Sequence, residues 1–197
     1  MLRMRFLIRI VLAALIAIAI GVSLLFYHAH RAMVAAGHYV SDVSRLQIGV
    51  SGNEEFVRIH EKYSHYAEMD PNCNPAACEA KFKFDNGAPF GIFGARAAFL
   101  YSGMTLSRGL ITNSVIGSSC YSSDWGPFIA HTEEVLPNPL TFAGPFREDH
   151  NLSSGAVERL SFELTPAASA EQRARAYAFK VSFLGRLGAC NDATDMH

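Results

Sequence analysis

Four cysteines are the residues whose chemistry this 197-residue sequence predicts most directly. Cys73 and Cys78 lie close together in a loop that contains prolines, whereas Cys120 and Cys190 lie far apart along the chain. In an exported domain, four cysteines most simply form two disulfides, for which three pairings exist. We expect Cys73–Cys78 and Cys120–Cys190, of which the second would close about 70 residues and contribute roughly 4 kcal/mol.

A tetrahedral zinc site is the alternative use of the first cysteine pair. Two histidines precede it, so His60, His65, Cys73 and Cys78 form a chemically suitable ligand set. The two cysteines are farther apart than in the usual zinc knuckle, and His60 falls on the apolar face of a predicted helix. The pair also lacks the two-residue spacing of a redox-active dithiol. We therefore expect no metal and no cofactor.

No established catalytic motif is present in the sequence. It contains no Gly-rich phosphate loop, no Gly-x-Ser-x-Gly and no His-Glu-x-x-His. The run Gly117-Ser118-Ser119-Cys120 resembles a nucleophile turn, but it lacks the trailing glycine and the following helix, so we interpret it as a strand end. The acidic pairs Glu133-Glu134 and Glu148-Asp149 are interpreted as solvated surface. These observations favour a protein that is not an enzyme.

Two loops rich in aromatic residues are candidate contact sites. The first follows Pro89 and the second surrounds Pro145. Their large apolar side chains are Phe90, Ile92, Phe93, Phe142 and Phe146. If these side chains do not fold back onto the domain, they form an exposed patch of the kind that marks a partner or a membrane.

The first 31 residues predict a membrane anchor. Arg3, Arg5 and Arg9 precede an uncharged run, Ile10 to Tyr27, that would span about 27 Å as a helix. A cleaved signal peptide, the alternative, has a shorter apolar core and small residues at its cleavage site. Here Phe26 and Tyr27 occupy that place, so an uncleaved signal anchor is favoured.

The arginines also predict the orientation and the compartment. Positive charges before the span favour an N-terminus inside and a domain on the extracytoplasmic, periplasmic side of the inner (cytoplasmic) membrane. Residues 32–197 carry 13 of the 17 Lys and Arg and all 18 Asp and Glu, a net charge of 13 − 18 = −5. Such a domain lacks the basic surplus that nucleic-acid binding requires. Expected partners are the lipid bilayer and an envelope protein.

The chain divides into an anchor, residues 1–31, a juxtamembrane linker, 32–45, an exported domain, 46–192, and a short tail, 193–197. A continuation of the anchor helix from Ala29 to Asp42 is the alternative for the linker, because the stretch contains no proline. In the exported domain, Ser51 and Glu54 form a predicted capping box for a helix that ends near Ser64.

Alternation of apolar and polar residues predicts a small antiparallel sheet after that helix. The first predicted strand contains Ala80, Phe82 and Phe84, and the next two, Ala97–Leu106 and Leu110–Ser118, flank a turn at 107–109. A fourth strand is predicted at Phe128–Leu136. The fifth contains Leu160, Phe162 and Leu164, with Ser161 and Glu163 on its solvent-exposed face. Residues 137–155 are predicted as a loop. A C-terminal helix capped by Ser169 and Gln172 would follow, with Ala174, Tyr177, Ala178, Val181 and Leu184 on its apolar stripe. The fold class is therefore α+β.

Two resemblances accompany these patterns. Leu46-Gln47-Ile48-Gly49-Val50-Ser51, followed by a capped helix and a strand, resembles the start of BamE-like (SmpA/OmlA) assembly lipoproteins, although this chain has no lipid-attachment cysteine. The anchor, the two-cysteine loop before Phe82-Lys83-Phe84-Asp85-Asn86 and the ending Leu187-Gly188-Ala189-Cys190 resemble bacterial single-pass envelope proteins. The resemblance implies location and architecture, but no activity.

The sequence therefore favours a non-enzymatic envelope module, either a protein-interaction domain or an accessory subunit of a membrane complex. A small-ligand-binding or sensing domain is the alternative, against which stands a cytoplasmic part of only Met1 to Arg9. A hydrolase whose site no motif reveals is the third.

Overall fold

The fold of the computed structural model is α+β, as predicted, and the model describes residues 2–87, 98–121, 146–153 and 157–185. Its centre is a six-stranded antiparallel sheet in the order β1-β2-β3-β4-β6-β5. The strands are β1 (Ala67–Met69), β2 (Ala77–Asp85), β3 (Ala98–Ser107), β4 (Leu110–Tyr121), β5 (Phe146–Ser153) and β6 (Val157–Leu164). The helices are α1 (Leu2–Val43), α2 (Asn53–Lys62) and α3 (Ala170–Ala176), with 3₁₀ turns at Ser64–Tyr66 and Val181–Gly185.

The predicted alternation in β2 is confirmed. Ala80, Phe82 and Phe84 are buried, whereas Lys81 and Lys83 are exposed on the opposite face. We call the buried face, against which α1 packs, face I, and the opposite face, face II.

The predicted hairpin between β3 and β4 is also confirmed. Its two turn residues, Arg108 and Gly109, have positive φ angles of 54° and 76°. That geometry suits a two-residue turn between twisted strands, and it requires a residue such as glycine that tolerates the left-handed region.

Helix α1 is continuous from the apolar N-terminal segment into the core of the domain. Its buried residues begin at Ala29 and recur every three or four positions, which is the period of one helix face. Tyr39 is fully buried, with ring centroids 4.8 Å from Phe82 and 5.1 Å from Phe84. Residues 32–43 are therefore helical and contribute side chains to the main core.

The start of α2 lies one residue later than its predicted capping box. The N-cap is Gly52, whose backbone N–H donates to the Glu55 carboxylate at 3.0 Å. The Ser51 hydroxyl instead accepts from the Gln47 N–H at 3.1 Å. The predicted pair, Ser51 with Glu54, is wrong because the Ser51 carbonyl is held by the Ile111 N–H of β4, which fixes Ser51 before the helix begins.

The C-terminal helix is shorter than its sequence predicts. Its Ser169–Gln172 capping box is confirmed, with both reciprocal hydrogen bonds present. The helix ends at Ala176, however, and Ala174 and Ala178 of the predicted stripe are exposed. Phe179 is buried instead, 5.6 Å from Phe162 between ring centroids, because large aromatic rings gain more than alanines from reaching the core.

Residues 146–153 form a strand where a loop was predicted. β5 pairs along its whole length with β6, from Phe146 opposite Leu164 to Ser153 opposite Val157. Its sequence is largely polar and charged and gives no clear alternation of hydrophobicity, so the pairing with β6 rather than a pattern of its own makes it a strand. The predicted strand at Phe128–Leu136 lies outside the described residues.

Candidate functional site

The apolar part of α1 is long enough to cross a membrane. The most hydrophobic 18-residue stretch of this helix is not buried by the rest of the protein. Between Ile8 and Tyr27, most large apolar side chains are about half exposed or more. Such a surface is unfavourable in water and suits the hydrocarbon core of a bilayer. The first fully buried residue, Ala29, follows two residues after Tyr27, so the domain begins where the apolar surface ends.

The junction between this span and the sheet is a close contact. His28 Nε2 lies 3.5 Å from the Asp85 carboxylate at the end of β2. Gly87 lies directly against the His28 ring with a φ of +64°, so a side chain at this position would be strained and would collide with the imidazole. Ala98 then starts β3 with its N–H donated to the Asn86 side chain at 3.2 Å. One end of the sheet is thus placed beside the point where α1 leaves its apolar segment.

Two contacts farther along α1 attach it to the rest of the domain. The Tyr39 hydroxyl donates to the Ser102 hydroxyl of β3 at 2.8 Å, and Ser102 donates to the Val115 carbonyl of β4 at 2.7 Å. Burial, only partly opposed by that hydrogen bond, raises the pKa of Tyr39, so the phenol stays neutral.

Asp42, the last residue but one of α1, binds two residues at the end of α2. Its Oδ2 lies 2.6 Å from Lys62 Nζ and accepts from the Tyr63 hydroxyl at 2.8 Å. Burial opposes the charged form, but the hydrogen bonds from Lys62 and Tyr63 outweigh it and lower the pKa of Asp42. Burial and the bond to Asp42 raise the pKa of Tyr63. The two helices are therefore joined through an ionised carboxylate at neutral pH.

The first predicted disulfide is present. Cys73, in the loop before β2, is bonded to Cys78, the second residue of β2. Their Cα atoms are 4.4 Å apart. Both cysteines of the alternative zinc site are therefore bonded to each other, so they are not available as thiolate ligands beside His60 and His65. Elsewhere in the described ranges, no group of three His, Cys, Asp or Glu side chains is placed to hold a metal ion.

The second predicted disulfide falls largely outside the described residues. Cys120 belongs to β4, with its backbone opposite Ala98, while Cys190 is not described. The Gly117–Cys120 run is strand rather than a nucleophile turn, and the Ser118 hydroxyl is fully buried, without a hydrogen-bond partner among described atoms. It has no base beside it that would activate it as a nucleophile within this part of the chain.

The predicted contact loops lie mostly outside the described residues. Phe90, Ile92, Phe93 and Phe142 are among the undescribed positions. Phe146 is the first residue of β5, where its half-buried ring packs against Phe162 with centroids 5.8 Å apart. The neighbouring Glu148 forms an ion pair with Arg175 of α3 at 2.7 Å.

Face II carries a buried polar cluster that the sequence did not predict. Glu163, expected on the wet side of β6, is 2% exposed and accepts from the Asn113 amide at 2.8 Å. Its other oxygen lies 3.2 Å from Arg147 Nη2 of β5. The Asn113 carbonyl oxygen is buried without a partner in the described structure. The carboxylate therefore joins β4, β5 and β6.

An open pocket of about 430 Å³ lies where the β1 edge meets β2. Its lining residues are His65, Tyr66, Ala67, Glu68, Lys81, Phe82, Lys83 and Tyr101. Lys81 and Lys83 lie on face II of β2, whereas the rings of Phe82, on face I, and Tyr101 are buried.

The sequence did not predict this pocket because its residues come from three separate segments. Glu68 is set opposite Lys81, and Lys83 opposite Tyr101, by the register of β1, β2 and β3. The only sequence signal was the exposed position of the two lysines in an alternating strand. No family model, no curated protein and no solved structure matches the chain.

Proposed function

We propose that this protein is a single-pass membrane protein whose extracytoplasmic domain is a non-enzymatic interaction module, an accessory subunit of a cell-envelope complex. The observation that carries the proposal is the continuity of α1, which joins an exposed apolar span of membrane length to the buried core without a break. A soluble enzyme has no use for such a helix, whereas a subunit that must present a domain at a membrane does.

Charge and redox chemistry support the proposed orientation. Arg3, Arg5 and Arg9 precede the span, and positive residues favour the cytoplasmic side of the inner membrane. The Cys73–Cys78 disulfide suits the oxidising periplasmic side, since the cytosol keeps most thiols reduced. The resemblance to single-pass envelope proteins agrees with this placement.

The rigid attachment of the span to the domain favours an integral membrane protein as the partner. A flexible linker would let the domain turn freely above the membrane, whereas a continuous helix packed through Tyr39 fixes the angle between the lipid-facing helix surface and the sheet. A membrane protein that contacts both the span and the domain would recognise that fixed arrangement. We therefore favour an integral membrane partner over a soluble periplasmic one.

The test is mass spectrometry of proteins that co-purify with the full-length chain from gently solubilised membranes. One variant carries an extra alanine after Phe26, which turns the span by about 100° relative to the domain. The matched control carries the same alanine after Arg5, where the register between span and domain is unchanged. We expect a stoichiometric companion with the wild type and the control, and its loss with the first insertion.

A solitary protein in all three purifications would contradict the accessory-subunit proposal. A companion retained by both insertions would contradict the recognition of a fixed arrangement. The second candidate function, binding of a small ligand in the envelope, is favoured by one observation, the open pocket lined by Lys81, Lys83 and Tyr101.

A further inference from the structure

One side of α1 stays exposed above the apolar span. We call it the outer face of α1, and its residues are Tyr27, Arg31, Val34, His38 and Ser41. We propose that the outer face binds one helix of the integral membrane partner, and that this helix continues above the bilayer and carries a carboxylate opposite Arg31. The inference rests on the proposed function, because it names the surface and the charge by which that partner is recognised.

The domain covers the other sides of α1 above the span. The side toward the sheet is buried, as at Ala32 and Tyr39. Asp42 is bound to residues at the end of α2, and Gly37 lies against the side chain of Val181 in the C-terminal 3₁₀ turn. The outer face is therefore the surface of α1 that a partner can reach above the bilayer.

The residues of the outer face recur at the spacing by which two helices stay in contact. Positions 27, 31, 34, 38 and 41 alternate steps of four and three, which is the repeat of a coiled-coil seam. Since α1 is unbroken, the same repeat continues into the span at Leu24 and Ile20, which are 61% and 55% exposed. A helix that contacts α1 both within the bilayer and above it follows this line, because the domain covers the other sides.

The height of the outer face favours a protein over lipid headgroups. At 1.5 Å per residue, Val34 lies about 10 Å and His38 about 16 Å beyond Tyr27 along the helix. The headgroup layer is only about 5–7 Å thick on each side of the hydrocarbon core. Lipid therefore does not reach Val34, an aliphatic side chain that is 43% exposed, or His38.

The outer face is positively charged. Arg31 is exposed, and its guanidinium carbon lies 5.8 Å from the centroid of the Tyr27 ring, a contact that positions the charge without neutralising it. His38, two turns farther along, is also exposed, and its ring supplies a hydrogen-bond donor. Residues 32–197 carry a net charge of 13 − 18 = −5, so the sign of the outer face is opposite to that of the domain.

The one acidic residue of α1 is bound elsewhere. Asp42 is the only acidic residue before Glu54 in the sequence. Its carboxylate binds Lys62 and Tyr63, on the side of α1 that faces α2. Because charges at facing positions of two helices determine which helices pair, the carboxylate that complements Arg31 is one supplied by a partner helix.

The same charges disfavour a second copy of this chain as the partner. Two parallel α1 helices that met along the outer face would place Arg31 opposite Arg31 and His38 opposite His38. Like charges at facing positions destabilise such a pair. A different chain with acidic residues at these heights avoids that repulsion.

The test is photo-cross-linking of the full-length protein in native membranes. The photoreactive residue p-benzoylphenylalanine replaces Val34 or His38, and the control position is Val50, which is 68% exposed but lies outside α1. We expect the two outer-face positions to give the same cross-linked protein and the control position not to give it. Tandem mass spectrometry should place the cross-link within about four residues, one helical turn, of an Asp or Glu at the extracytoplasmic end of a membrane-spanning helix.

A charge exchange tests the role of Arg31. Arg31→Glu should lower the cross-linking yield from Val34 by about tenfold, and a lysine in place of the mapped acidic residue of the partner should restore it. Such a restoration does not occur if Arg31→Glu simply fails to fold. Lys81→Glu makes the same change of charge on face II, the sheet face opposite to α1, and should leave the yield unchanged. Equal yields in the two variants would overturn the proposal.

The products also distinguish the other occupants. A product of about twice 21.5 kDa would identify a second copy of the chain, and adducts with lipid alone would identify the membrane surface. A cross-linked segment without an acidic residue within that turn would contradict the recognition by charge. Each of these three results would overturn the proposal.

The inference and the proposed function fail in different ways. A companion that co-purifies stoichiometrically but is cross-linked from neither Val34 nor His38 would overturn the outer face as the docking surface and leave the accessory-subunit function standing. The absence of both a companion and a cross-link would overturn both.

Discussion

The hydroxyl of Tyr39, on the same helix as the long apolar segment, donates a 2.8 Å hydrogen bond to Ser102 at the centre of the sheet. Both side chains are fully buried, and the Ser102 hydroxyl donates a hydrogen bond to the Val115 carbonyl on the next strand. A residue of α1 is therefore part of a hydrogen-bond chain that joins α1, β3 and β4. The helix and the sheet share one hydrophobic core.

Removing the Tyr39 hydroxyl should lower the free energy of unfolding. Tyr39→Phe keeps the ring contacts but loses one buried hydrogen bond, so we expect a loss of about 1 kcal/mol in urea denaturation of the full chain in detergent, followed by near-ultraviolet circular dichroism. Tyr27→Phe, at an exposed position of the span, is the control and should have no effect. Equal stability of Tyr39→Phe and the wild type would show that the hydrogen bond contributes nothing.

Acid should weaken the joint between α1 and α2. Because the pKa of Asp42 is lowered from 3.8 in the folded state, its contribution is complete above the unfolded pKa and is lost as the pH falls through the lower folded pKa. Denaturation at a series of pH values should show this loss below about pH 4 to 5. Asp42→Asn should flatten that part of the curve and cost about 1 kcal/mol at neutral pH.

The control for this series is Asp70→Asn, an exposed aspartate in the loop after β1. It should leave the acid part of the curve as in the wild type. An identical acid dependence in Asp42→Asn and the wild type would mean that other carboxylates are responsible.

Removing the buried carboxylate of Glu163 should lower the free energy of unfolding. Glu163→Ala leaves the Asn113 amide and the Arg147 guanidinium without their shared partner, so we expect a loss of about 2–4 kcal/mol. Glu163→Gln keeps an acceptor for Asn113 and should cost less. Glu61→Ala, exposed on α2, is the control, and a Glu163→Ala loss as small as its own would contradict the buried cluster.

The Cys73–Cys78 disulfide should stabilise the edge of the sheet beside the pocket. Because it closes a loop of only six residues, replacing both cysteines by serine should lower the free energy of unfolding by about 2 kcal/mol. Hydrogen exchange measured by mass spectrometry should become faster in β1 and at the start of β2. Faster exchange spread evenly over β5 and β6 as well would indicate a global effect instead.

Local sequence patterns were sufficient for several parts of this fold. The uncharged run of α1, the alternation in β2 and the Arg108-Gly109 turn each depend on residues a few positions apart. The Cys73–Cys78 bond was predictable for the same reason, since the short spacing brings the two thiols together whatever the rest of the chain does. These features follow from helix and strand periods and from the steric freedom of glycine.

Other features depend on partners that are distant in sequence. β5 is a strand because β6 supplies its hydrogen bonds, and Glu163 is buried because Asn113 and Arg147 lie beside it in the sheet. The pocket exists because register places Tyr101 opposite Lys83.

By itself, therefore, the sequence determined an apolar helix of membrane length, an α+β domain and one short disulfide, since each is set by chemistry within a few residues. Only the tertiary structure decided that this helix is also part of the core, and that Glu68, Lys81 and Lys83 line one pocket. The physical reason is that strand pairing and helix packing join groups dozens of residues apart, such as Tyr39 and Ser102, and no local period encodes those distances.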